Sequence, residues 1–142
     1  YTTGEVFKGN VDSCDPRYSF HWIGQSDTVY VFEAPIDMLS FISMYQKGWM
    51  DHSYVALCGV AEHALMQLLN DAPHISQIAL CLDHDKAGIQ ARERIKKNLS
   101  ERGYHMVFSL FSNLKDWNED LQELKKPPPE YMNRQQTVIQ MM

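Results

Sequence analysis

Cysteine is scarce in this chain of 142 residues. Cys14, Cys58 and Cys81 form no CxxC pair and are odd in number, so neither a disulfide framework nor a structural zinc site is expected. Cys58 and Cys81 each sit in an apolar run, which suits buried thiols. That usage points to a reducing, cytoplasmic compartment. Long hydrophobic stretches are missing too. No apolar run approaches the ~20 residues that span a bilayer, and the first residues do not resemble a signal peptide. A chain that starts at Tyr1 is expected to be a piece of a longer protein. Cationic charge is in short supply: 13 Lys and Arg stand against 18 Asp and Glu, a formal net charge of −5. That argues against a broad non-specific nucleic-acid surface. It leaves room for a nucleic-acid enzyme whose phosphate site relies on metal ions.

What is present is regular. Residues 1–27 carry Gly, Asp, Ser and aromatics and read as short β segments, GEVFKG and RYSFHWIG. From residue 28 the pattern alternates. TVYVF (28–32), SYVALCG (53–59), QIALCLD (77–83) and HMVFSLF (105–111) are apolar, β-rich runs. Between them lie helical patterns: 36–48, opened by Pro35 and ended by Gly48; 61–71; and the amphipathic 85–103. A short helix is expected over 116–126, stopped by Pro127–Pro129. Strands with few polar residues alternating with helices predict an α/β domain: a four-stranded parallel sheet with helices on both faces. The expected organisation is 1–27 as the end of a preceding region or a β extension, 28–126 as the domain, and 127–142 as a helical tail.

Open parallel sheets bind ligands at the C-terminal ends of their strands. Glu33 ends the first core strand, Asp83 ends the third, and Asp85 opens the next helix. Lys115 and Asp116 follow the fourth strand. Carboxylates gathered at one edge repel one another, and a divalent cation removes the conflict. Oxygen-only ligands favour Mg²⁺ or Mn²⁺ over zinc. Taken singly, Glu33 is as well read as a solvated strand-end charge and Asp85 as a helix N-cap; the combination is what points to a site. His84, between the two aspartates, should point away from them. His63 reads as a surface or satisfied core residue, and Trp117 as packing on the sheet end or stacking on a base.

VFEAPIDMLSF (31–41), CLDHDKAG (81–88) and KDWNEDL (115–121) together resemble the motifs of the Toprim superfamily, with the greatest likeness to primase-like Toprim proteins of bacterial plasmids and conjugative elements. Ala34 stands where many relatives have Gly. The resemblance implies a Toprim (Rossmann-like) fold and metal-dependent phosphoryl or nucleotidyl transfer on nucleic acid, DNA or RNA, or on nucleotides. It implies Glu33 as general acid or base or metal ligand, Asp83 and Asp85 as ligands of Mg²⁺ or Mn²⁺, and Asp37 and Asp116 as supporting carboxylates. Lys86 and Lys115 would neutralise phosphate charge. At Gly59, ending the second strand, a bare backbone would admit a phosphate. Other domains of a full-length protein are the implied partners. A nuclease or topoisomerase-type cleavage and a non-catalytic metal- or nucleic-acid-binding module remain open alternatives.

Overall fold

The computed structural model describes residues 20–57 and 62–126. The expectations placed on GEVFKG, Cys14, Cys58, Gly59 and the tail 127–142 lie outside the described residues. The elements run β1 (His21–Trp22), β2 (Thr28–Phe32), α1 (Pro35–Met44), β3 (Ser53–Ala56), α2 (His63–Asp71), β4 (Gln77–Leu80), α3 (Lys86–Glu101), β5 (Met106–Ser109) and α4 (Trp117–Lys125). All four expected core strands form where their apolar runs lie.

They make one sheet in the order β1-β3-β2-β4-β5. The four core strands are parallel, with Val31 opposite Val55 and Leu80 across β2, and Ile78 opposite Val107. Of RYSFHWIG, the described residues from Phe20 onward form the two-residue β1, antiparallel to β3. Because side chains alternate along a strand, the sheet has two packing faces. Val29, Val31, Val55, Ile78 and Leu80 meet Leu65, Leu68, Ile95 and Leu99 of α2 and α3. Phe32, Tyr54, Ala56, Ala79 and Cys81 meet Met38 and Phe41 of α1 and Trp117 of α4. Each fully buried leucine or isoleucine here stabilises the fold by roughly 1.5–3 kcal/mol.

Several boundaries fall short of expectation: β4 ends at Leu80, three residues before Asp83, β5 at Ser109 and α3 at Glu101. The helix opened by Pro35 ends at Met44, not at Gly48. Tyr45 leaves helical backbone, and Gly48 takes φ 74° ahead of a 3₁₀ turn at Trp49–Asp51. Glycine thus serves the left-handed turn after the helix rather than its cap.

The chain leaves β2 toward β3 on one side, then returns through α2 to place β4 on the other. The C-terminal ends of β2 and β4 therefore flank the topological switch point, where such sheets hold their ligands.

Candidate metal centre at the switch point of the sheet

Three helices begin at this edge, and each start is set by local sequence. Pro35 opens α1 with its fixed φ and absent N–H, placing Asp37 in the first turn. Asp85 caps α3: its Oδ1 accepts from Gly88 N at 2.8 Å. Asp116 caps α4, with Oδ1 accepting from Glu119 N at 2.8 Å. The positive ends of three helices thus face a common patch and offset the negative charge collected there.

On that patch Asp37, Asp83 and Asp116 each present a carboxylate oxygen, all within 4.8 Å of one another. Asp37 is buried, and its Oδ1 accepts from Asn118 N at 3.2 Å. Burial raises its pKa to about 6, helped by the charges of Asp116 and Asp83 and opposed by that backbone bond. Glu33 lies against Asp83. Burial first, then the Asp83 charge, push Glu33 up to about 7, with Asp85 adding to the rise. Asp83 is raised as well, by burial and by Asp116 and Asp85, while Lys115 pulls it down.

Glu33 Oε1 and Asp83 Oδ1 are shielded from solvent and have no hydrogen-bond partner. Two carboxylate oxygens brought together without a donor need either a shared proton or a cation. The donor set is oxygen only, which suits a hard divalent ion. The residues present therefore fit Mg²⁺ or Mn²⁺. Asp83 belongs to both groupings, the pair with Glu33 and the triad with Asp37 and Asp116.

The other sequence candidates fall as follows. Asp85 commits one oxygen to its cap, yet its charge is felt at Glu33 and Asp83. Lys115 is exposed and acts on Asp83; Lys86 is exposed at the first turn of α3. His84 turns aside as expected: its Nδ1 donates to Ser112 O at 2.9 Å and its ring meets Phe111. His63 is exposed at the start of α2. Trp117 is buried in the sheet end, with Nε1 donating to Cys81 O at 2.9 Å.

Two residues escaped the sequence reading. Asp120 accepts from the Asn113 and Leu114 amides at 2.8 Å each, shaping the loop that delivers Asp116. Arg92 is buried on α3 and bonded to three main-chain carbonyls. Its position was a usable signal: it falls on the stripe Gly88, Ala91, Ile95, Leu99 that faces the core, where an unpaired charge is out of place.

The raised acids make the cation-free protein pH-sensitive. A folded pKa above the ordinary value of 4.5 for Glu33 or 3.8 for Asp37 means that the folded state holds its protons longer. That contribution is complete below the unfolded values and is lost as pH climbs through about 6 and about 7. Melting curves without metal should therefore shift to lower temperature between pH 5 and pH 8, and added Mg²⁺ should raise Tm more at pH 8 than at pH 5. A Tm gain from Mg²⁺ that is independent of pH would contradict this account of the cluster.

An open parallel sheet with carboxylates gathered at its switch point defines an α/β domain suited to cations and phosphates. The sequence profile described as Toprim-like matches residues 30–121, and the chain belongs to that family. Among solved structures, the primase fragment of the bacteriophage T7 primase-helicase protein superposes with a TM-score of 0.57 at 24% identity, covering 72% of this chain and 41% of that one. A chain from the T7 lagging-strand DNA polymerase structure, which includes primase domains bound to an RNA/DNA hybrid and dTTP, gives 0.51 at 22%, covering 72% and 50%. An uncharacterized Mycoplasma pneumoniae protein, the MG010 homolog, is 30% identical over 100 residues, 70% of this chain and 45% of its own length. The chain thus spans less than half of that relative. Among the described residues no helix is long and apolar enough to cross a membrane.

Proposed function

We propose that this domain serves nucleic-acid processing through metal-dependent phosphoryl or nucleotidyl transfer, in a primase-like role. The observation that carries the reading is the set of acidic oxygens at the switch point: a triad within 4.8 Å, adjoined by Glu33 and Asp83 oxygens that lack any donor. Family membership and the likeness to a phage primase fragment support the direction. The finer assignment to mobile-element DNA replication or transfer rests on the motifs at 31–41, 81–88 and 115–121.

Bound Mg²⁺ or Mn²⁺ would supply charge stabilisation for a phosphoryl group and its transfer. Asp83 would hold the ion together with Asp37 and Asp116, and Glu33 and Asp85 would add their charge. Glu33, near neutrality in pKa, would hold or move a proton at its carboxyl oxygen. Lys115 and Lys86, both exposed, would meet substrate phosphates. With a net charge of −5, the basic track for a nucleic-acid strand, DNA or RNA, would come from other domains.

Calorimetry with Mn²⁺ tests the site. Asp83→Asn is expected to weaken binding at least about tenfold, and Asp37→Asn and Asp116→Asn by less, since only Asp83 belongs to both groupings. Asp85→Asn and Glu33→Gln report on the charge added beside the triad. Mn²⁺ affinity unchanged in Asp83→Asn would reject a cation centre here. Transfer assays with Mg²⁺ on single-stranded, duplex and nucleotide substrates then separate an enzyme from a binding module, which would bind without turnover.

A further inference from the structure

Arg92 is 3% exposed, in the middle of α3, on the face that packs against the sheet. Its Nη1 donates to Leu80 O at 2.6 Å, and its Nη2 donates to Leu82 O at 2.5 Å and Leu110 O at 2.8 Å. Its guanidinium carbon lies 4.0 Å from the centre of the Phe111 ring. Nε has no partner. All its hydrogen bonds among the described residues go to main-chain carbonyls, none to a carboxylate. Burying a guanidinium on such terms is unfavourable relative to an apolar side chain of similar size. Core stability alone does not explain an arginine on the stripe of Ala91, Ile95 and Leu99.

Where those carbonyls lie supplies the reason. Leu80 is the last residue of β4, and Leu82 immediately precedes Asp83. Leu110 follows β5 and begins the loop that ends at Asp116. The last sheet bond between the two segments is Leu110 N to Leu80 O at 2.9 Å. Beyond it, on the way to Asp83 and Asp116, the segments are joined through His84, whose Nδ1 donates to Ser112 O at 2.9 Å. His84 N to Lys115 O at 2.6 Å closes the far end. Arg92 bridges the near end, through Leu82 O and Leu110 O.

We propose that Arg92 is a positioning residue for the cation site: its planar fork ties the strand end carrying Asp83 to the loop carrying Asp116 and so sets the spacing of their carboxylates. The role rests on the cation-site reading above. It calls for arginine in particular, because a lysine offers a point charge and cannot reach three carbonyls in one plane.

The sign of the effect separates this role from simple electrostatics. A fixed positive charge near Glu33 and Asp83 opposes cation binding, so removing the charge alone would tighten it. Loss of positioning weakens it, and groups that orient metal ligands are typically worth about 10–100-fold in affinity. Mn²⁺ binding by calorimetry, with the electron paramagnetic resonance spectrum of the bound ion, reads both. Arg92→Met and Arg92→Lys are each expected to bind Mn²⁺ about 10–100-fold more weakly, with a broadened spectrum. Leu99→Ala, a core change on the same helix, should lower Tm while leaving affinity and spectrum unaltered. If Arg92→Met does not fold, Arg92→Lys carries the comparison, joined by Phe111→Leu, which removes the ring beneath the guanidinium and should weaken binding by a smaller factor. Tighter binding in Arg92→Met, unchanged binding in Arg92→Lys, or an equal loss in Leu99→Ala would overturn the role while leaving the cation site standing. A wild-type protein that binds no Mn²⁺ would remove the site and the role together.

Discussion

Glu33→Gln is expected to lower metal-dependent transfer by about 10²–10⁴-fold, the usual range for a general acid or base, without lowering the Tm of the metal-free protein. Glu33 stands one residue beyond β2, half-buried, with a pKa near 7 set by burial and by the adjacent Asp83. In the metal-free protein such a carboxyl is divided between its two states at neutral pH; a bound cation would favour the carboxylate, which suits it to accept a proton. Glutamine keeps the shape and loses both the charge and the titratable proton. Its amide N–H can also donate to Asp83, where the native pair needs a shared proton or a cation. The expected signature is therefore a split: activity falls while the metal-free fold holds or gains. Full activity on every substrate that the wild type processes would exclude Glu33 from the chemistry. Lost activity together with a lowered melting temperature would point to a structural role.

Gly88→Ala is expected to destabilise the domain by about 3 kcal/mol or more, at the upper end of overpacking effects, and to abolish Mn²⁺ binding. A methyl group at Gly88 would lie 2.0 Å from Asp83 O and 2.8 Å from Asp83 C. Both are backbone atoms, so no rotamer change relieves the clash. Either α3 moves away from the strand end or Asp83 is displaced from the cluster. Urea unfolding beside calorimetry measures the two losses together. A Gly88→Ala protein with native stability and affinity would show that the helix start has slack the close contact denies.

The four parallel strands could be read from the sequence because an interior strand must be apolar on both faces, and TVYVF and QIAL are. Their lateral order could not, since it depends on which side of β2 each helical crossover falls. The acidic residues were legible as strand-end and helix-start positions. Their grouping was less so: that Asp37, one turn into α1, meets Asp83 and Asp116 depends on α1 and α4 packing together through Phe41 and Trp117, at 5.0 Å between rings. Arg92 shows the opposite failure. Helical spacing puts it on the buried stripe, but reading 85–103 simply as amphipathic does not single out which cation falls on that stripe.

Asp85 and Asp116 each start a helix with the same carboxylate that faces the cluster. That double duty limits how alanine scanning of this surface can be interpreted. Alanine at either position removes a cap worth about 0.5–2 kcal/mol together with the charge, so a dead variant could be a frayed helix, a lost ligand or both. Asparagine caps nearly as well as aspartate and carries no charge, which makes it the informative replacement at these two positions. At Glu33, which starts no helix, glutamine removes the charge without removing a cap.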